Sequence, residues 1–435
     1  MKRLMYQGKI KRYLSLLFLA GLALLVAGCS SARADEAATV PPAATEGVFK
    51  LGILGPFTGP TESVGKEFNG AVVMALEAVD WQIGPYKIEP VWIDSQADPE
   101  KAAEAYENAI LEKGIQAGIL NFHSSVSVAC MEVSAEYQIP HIFPFGATEV
   151  VNEVFDSDPD KYGYWMNKGW PSPAKLSIAY VQAIKDAIAN GDWRPAEKTV
   201  AICGENTDWG RSFGQAIREQ LEAAGWTTVE EAYFNLDEVM FYPLLNKFKA
   251  QDVALVAATT TSMPSFAALI NQADEIGLES MIIADGLGWT GEWYEMTGDS
   301  SNYVIDQIPG WATAEGHAFA KAFEQKWDIT PSPSAAGLAY DGTKMFLQVA
   351  QHALDEYGEL TSETIYRWAK ENLQTGKWSY TDGIVMQNYQ YTPETVPDPV
   401  VGQGYYIFPV RQYMNGVGQI VYPPEWAEAT LQPKP

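Results

Sequence analysis

Histidines, cysteines and paired carboxylates carry most enzyme chemistry, and in this 435-residue chain none of them falls into a reactive pattern. The four histidines (His123, His141, His317, His352) are scattered, with no His-Glu-x-x-His and no Cys-x-x-Cys, so no metal site is expected. Gly59 and Gly65-Lys66 suggest a phosphate loop. Five residues separate those glycines, however, and Glu67 stands where a magnesium-binding Ser or Thr is required. There is no Gly-x-Ser-x-Gly elbow, and the first strand is not followed by Gly-x-Gly-x-x-Gly. Acidic residues are abundant, but no spacing nominates a glycosidase pair. No catalytic residue and no cofactor are expected.

Binding chemistry is better represented. Short segments rich in hydroxyls and small residues recur: Asn121–Ser125, Phe145–Thr148, Glu205–Gly210, Thr259–Met263, which contains Thr261, and Asp285–Trp289. Several lie directly before a helical pattern. Free helix N–H groups together with Ser or Thr hydroxyls form a site for a carboxylate or similar anion. Taken singly, each hydroxyl could equally be a helix cap. Ser125 and Thr148 are the stronger pair, because both project to one place if their strands are neighbours. Trp209 and Trp289 would wall a pocket from the other side, or else pack as ordinary core residues.

These loops need a scaffold, and the apolar periodicity supplies one. Strands are expected at Lys50–Leu54, Ile88–Ile93, Ala117–Leu120 and Ile142–Phe143, alternating with helices marked by Val72, Leu76 and Val79, by Ala102, Tyr106 and Ile110, and by Val126–Tyr137. After an irregular stretch around 156–172 the rhythm restarts. Strands follow at Thr199–Cys203, Thr228–Phe234, Val253–Ala257 and Ser280–Ala284, with helices at Phe213–Ala224, Phe241–Ala250 and Ser265–Ile276. Strand–helix alternation implies right-handed βαβ units and parallel-rich sheets, hence an α/β chain of two similar lobes. A third block holds a strand (Tyr303–Ile308), helices at Ala314–Trp327, Leu338–Leu354 and Glu363–Asn372, and β-rich sequence at Gly383–Tyr389 and Tyr405–Tyr413. It is too mixed to stand alone and should complete the two sheets. In open α/β sheets ligands bind beyond the carboxyl ends of the strands, which is where the hydroxyl-rich loops fall.

Charge narrows the partners. With Lys plus Arg at 29 and Asp plus Glu at 55, the net charge of −26 repels phosphate backbones, and nucleic acid is excluded as a partner. The five basic residues before Cys29 all lie within the first twelve positions and precede an apolar run, Leu14–Ala27, as in an export signal. The run is short for a membrane span, which takes about 20 residues. It ends Val26-Ala27-Gly28-Cys29 and resembles the bacterial lipobox. A signal peptide over 1–28, lipidation of Cys29 and a flexible tether over 29–47 are therefore expected, with the protein working outside the cytoplasmic membrane. Cys130 and Cys203 fall in different lobes, so no disulfide is expected between them.

The segment Lys50–Pro60, followed by Gly65–Gly70, resembles the start of the periplasmic branched-chain amino-acid binding proteins of ABC importers. Further matches in order are Ser124–Ser127, Pro144–Thr148, Asp208–Gly210, Gln272–Gly277, Tyr340-Asp341 and Tyr422–Trp426. The resemblance implies a type I periplasmic binding fold: two Rossmann-like lobes, 48–170 with 306–402 and 171–305 with 403–430, joined by a three-strand hinge. It implies a monomer that closes on a small molecule and presents the closed form to a permease. Carried over by position, Ser125, Gly146 and Thr148 would hold a carboxylate and an ammonium group. Trp209 and Thr261 would stand where the family often has tyrosines, and Asp285 where it often has an acidic ammonium partner. A buried Asp285 would need a cation, which favours an amino acid over an aromatic acid, amide or urea-like solute. Two rival readings are a ligand sensor of the same fold docking on a membrane receptor, and a lipid-anchored enzyme.

Overall fold

The computed structural model describes residues 47–435 apart from Ala312. The signal sequence, Cys29 and all but the last residue of the expected tether lie outside the described residues. Two sheets organise the chain. The first has strands β1 (Gly47–Gly55), β2 (Gln82–Ile83), β3 (Tyr86–Asp94), β4 (Ala117–Ile119), β5 (His141–Ile142) and β6 (Trp165–Asn167), in the order β2-β3-β1-β4-β5-β6. The second has β7 (Thr199–Glu205), β8 (Thr227–Phe234), β9 (Leu255–Thr259), β10 (Met281–Asp285), β11 (Ile305–Gln307), β12 (Val410–Met414) and β13 (Val417–Tyr422), ordered β13-β12-β11-β10-β9-β7-β8. Only the pairings β2/β3, β11/β12 and β12/β13 are antiparallel. The expected α/β architecture with parallel-rich sheets is the one observed.

The local reasons are visible in the sequence. β9 and β10 read Leu-Val-Ala-Ala-Thr and Met-Ile-Ile-Ala-Asp and are buried throughout, as central parallel strands covered on both faces must be. Asp98 caps the helix Pro99–Asn108 by accepting from the N–H groups of Glu100 and Lys101, with proline in the first turn. The helix Ala314–Trp327 has the bounds its periodicity predicts.

Two differences have physical causes. A further helix, Pro173–Asn190, lies between the irregular stretch and β7; Leu176, Tyr180, Ile184 and Ala187 form its buried stripe and Gly191, at φ +82°, ends it. The segment Gly383–Tyr389, expected to be β-rich, forms no strand beyond an isolated bridge between Tyr380 and Tyr389. Its N–H groups go elsewhere: Ile384 and Val385 donate to the buried Asp341 carboxylate at 2.8 and 3.1 Å, and the Tyr389 hydroxyl joins them. A backbone committed to a side chain cannot also build a ladder.

The chain passes between the sheets three times, after β6, after β11 and before β12. An ion cluster around the buried Asp398 joins the first of these crossovers to the third. Asp398 meets Lys168 at 2.6 Å and Lys175 at 2.8 Å, and the Lys168 N–H donates to the Pro397 carbonyl. Burial alone would raise the Asp398 pKa, but the two ammonium groups outweigh it and hold the carboxyl below its usual range. Two cations around one carboxylate keep the charge in place, so removing Asp398 would leave Lys168 buried and unpaired.

Candidate functional site

Beyond the carboxyl ends of β4 and β5 the backbone turns sharply. Leu120, Asn121 and Phe143 all have positive φ (64°, 139° and 63°), which costs energy for residues with a side chain. The Asn121 amide holds the first turn by donating to the His123 carbonyl at 2.9 Å and the Ser127 hydroxyl at 2.7 Å. The result drives Phe122 and Phe145 into the space between the two sheets. From the other side come Trp209, at the start of the helix Asp208–Ala223, and Trp289, beyond β10. Trp170 enters from the first crossover. Trp289 packs against Trp170 at 4.5 Å and edge-on to Phe122 at 4.9 Å between ring centroids. These rings, with Ser124, Ala147 and Thr261, line a cavity with room for about one water, roughly 10 Å³.

The polar groups are arranged in two sets. The Ser124 hydroxyl accepts from the N–H groups of Ala147 and Thr148 at 3.1 and 3.2 Å, so the first turn of the helix Ser124–Glu136 meets the N-terminal end of the helix Glu149–Ser157. On the opposite wall the Thr261 N–H and hydroxyl donate to Glu205 at 2.6 and 2.8 Å, joined by the hydroxyls of Thr260 and Thr207. Burial raises the Glu205 pKa against the pull of these donors. The Trp170 indole N–H is buried and has no partner.

The residues singled out from sequence fall in different places. Trp209, Thr261 and Trp289 line the cavity. Ser125 and Thr148 do not line it; they tie the two sides together. Ser125 accepts from the Asp208 N–H at 3.3 Å, and Thr148 shares a 2.6 Å bond with the Ser212 hydroxyl while capping its own helix at Val150. Gly146 lies underneath, where a Cβ would sit 2.0 Å from the Ser127 hydroxyl, so its lack of a side chain serves packing.

Asp285, expected to meet an ammonium group, turns away from the cavity. It accepts from the Tyr180 hydroxyl at 2.9 Å and lies behind Thr259, whose hydroxyl in turn receives the Trp209 N–H at 2.8 Å. Burial, and then the neighbouring Asp306, push it up to about 8, so at neutral pH it is largely protonated.

Phe122, Ser124, Phe145 and Trp170 line the cavity without having been named as site residues from the sequence. The first three sit inside loops that the sequence marks, and an aromatic at the carboxyl end of each of two strands was the available signal. Trp170 carried none, because its position depends on a crossover. Among the described residues no group of His, Cys, Asp and Glu converges as a metal site, and no helix is long and apolar enough to cross a membrane.

Two lobes closed over a small cavity at the strand ends have counterparts. The family profile described as periplasmic binding protein matches residues 48–411. The chain belongs to the periplasmic binding protein family. Membership places its work outside the cytoplasm and implies a small-molecule ligand and a membrane permease of the ABC type. This periplasmic binding protein is 24% identical over 341 residues to the Leu/Ile/Val-binding protein homolog 7 of Brucella melitensis, covering 75% of this chain and 79% of the relative. Its fold matches a solute binding protein of an ABC transporter from R. palustris, solved in complex with benzoate. That match has a TM-score of 0.71 at 17% identity, over 86% of this chain and 95% of the other. It also matches the branched-chain amino acid transporter substrate binding protein of Streptococcus pneumoniae, solved with isoleucine, with a TM-score of 0.67 at 16% identity over 85% and 97% of the two chains.

Proposed function

We propose that this periplasmic binding protein captures a small aromatic carboxylate between its lobes and delivers it, chemically unchanged, to an ABC permease, while a lipid on Cys29 holds it to an envelope membrane. The observation that carries the reading is the cavity wall: Phe122, Phe145, Trp170, Trp209 and Trp289, with no charged side chain. Aromatic faces and edges favour a flat apolar body in offset or edge-on contact. Two helix N-terminal ends at Ser124 and Thr148, with the unpartnered Trp170 N–H, suit an anion. An ammonium group would face those same positive helix ends. Asp285 is turned away and Glu205 is occupied by its hydroxyl donors.

Closure is a population shift. The ligand replaces ring–ring contacts that fill the closed site, and it gains from both lobes only when they meet. A second reading, a branched-chain amino acid, is favoured by the likeness to the Leu/Ile/Val-binding homolog. Calorimetry with benzoate, phenylacetate, leucine and isoleucine separates the two. The aromatic acids should bind, and Trp170→Phe, which keeps a ring and removes the N–H, should weaken them about tenfold or more. Tight binding of leucine with none of benzoate would select the second reading.

A further inference from the structure

A larger cavity shares no lining residue with the cleft and is separated from Trp170 by Phe408, which packs on that ring at 4.1 Å between centroids. It has a volume of about 330 Å³, within the range of small-molecule sites, against roughly 10 Å³ in the closed cleft. Its walls come from the segments after β11 and before β12, from β12 and β13, and from Val385–Gln387. Gly310 and Trp311 follow β11, Tyr405 and Ile407 precede β12, and Trp426 follows β13. Tyr405 and Trp426 are about two-fifths exposed, unusually open for large rings, and both border this cavity.

The one cation lining the cavity is Arg411, on β12. Its Nη1 donates to the Gly418 carbonyl at 2.9 Å, while its Nε is buried without a partner. Among the described residues it forms no ion pair, whereas Arg218 and Arg367 are paired with Glu231 and Glu371. The nearby acids are engaged elsewhere. Glu428 accepts from the Ile420 N–H, and Asp306 accepts from Gly286, Gly288 and Tyr413. Gly310 leaves the guanidinium uncovered: a Cβ there would sit 2.4 Å from Nη2. In a chain of net charge −26, an arginine that presents its Nη1–Nη2 end without a carboxylate partner to a recess of mostly aromatic and aliphatic side chains is out of keeping with its surroundings.

We infer that this recess is a second binding site, for an amphipathic monocarboxylate whose carboxylate is forked by Arg411 and whose aromatic or alkyl body lies between Trp311, Tyr405 and Trp426. The planar guanidinium matches a carboxylate with two parallel hydrogen bonds. A single cation within mostly apolar walls selects one negative charge over two. The acidic surface disfavours polyanions further. The site does not depend on what the cleft binds.

The aromatic carboxylate 4-benzoylbenzoate, which carries its own photoreactive ketone, can be applied to the full chain without substitutions. Irradiation followed by peptide mapping should label segments around 405–411 or 420–426 in addition to any cleft peptides around 122–124, 145–148 or 289. The uncharged amide analogue should compete at this site at least tenfold less well than the acid. Arg411→Gln should abolish labelling there while leaving any cleft labelling in place, and Gly310→Ala, by crowding the guanidinium, should reduce it with Arg411 intact. Labelling confined to cleft peptides, or equal competition by acid and amide, would overturn the inference. A failure of the cleft reading alone would instead appear as loss of cleft labelling with the second site retained.

Discussion

Asp285 ends β10 with its side chain buried. Its place after a strand, in a loop beside the expected cleft, suggested a partner for a ligand's ammonium group. Its folded surroundings are a tyrosine hydroxyl, a threonine hydroxyl and a second acid. Its ordinary value is 3.8 and its folded value about 8, so the folded chain keeps a proton that the unfolded chain loses in between. Stability from such a group is fully present below the unfolded value and is lost as pH rises through the folded one. Asp285→Asn should match the parent near pH 4 and exceed it by on the order of 1 kcal/mol or more near pH 8 in urea titrations. Ligand affinity should stay within about twofold, since an uncontacted group contributes nothing to binding. A tenfold loss confined to amino acids would put Asp285 in contact with ligand after all.

At the scale of elements, helix starts do two jobs at once. Thr148 caps the helix Glu149–Ser157 and reaches across to Ser212 on the helix Asp208–Ala223. The cap belongs to one lobe and persists in any arrangement; the bond to Ser212 exists only when the lobes meet. Ser212→Ala should therefore leave thermal stability nearly unchanged and weaken ligand binding by about 0.5–1.5 kcal/mol, the net value of one hydrogen bond. Thr148→Ala should show the same loss of affinity plus about 1 kcal/mol of lost stability from the cap. Differential scanning calorimetry beside binding titrations distinguishes these. Unchanged affinity in Ser212→Ala would mean that the contact does not help to hold the closed form. Hydroxyls before helices were legible as caps or ligand donors, but their use as ties between lobes was not, because Ser212 is 64 residues away in sequence.

For the whole molecule, location and charge act together. A chain this acidic has little attraction to an anionic membrane surface. The proposed lipid on Cys29 must therefore supply the anchoring, through more than one acyl chain. In the producing bacterium, Cys29→Ser should shift the protein from the detergent phase to the aqueous phase on phase separation. Equal partitioning of variant and parent would remove the lipoprotein proposal. Anchored in this way, the binding unit stays near its permease, and the cluster of the buried Asp398 with Lys168 and Lys175 keeps two of its crossovers registered.

What the sequence determined by itself was whatever depends on local periodicity. The alternation of strands and helices, the parallel-rich sheets and the loops at the strand ends follow from apolar spacing of two and of 3.6 residues, with proline, glycine and cap residues as punctuation. Those rules also set Trp209, Trp289 and the Thr259–Met263 loop at strand ends. The tertiary structure alone decided which way each side chain in those loops faces. A positive φ at Leu120 and Asn121 swings Phe122 inward and leaves Ser124, not Ser125, at the cavity. Trp170 joins the wall because a crossover brings it there, and Arg411 meets Gly310 because β12 pairs antiparallel with β11. Asp341 draws in the N–H groups of Ile384 and Val385 that a ladder would have used. Periodicity is a property of neighbours along the chain; a binding site is a property of neighbours in space, and its contacts are set only once the sheets and crossovers have packed.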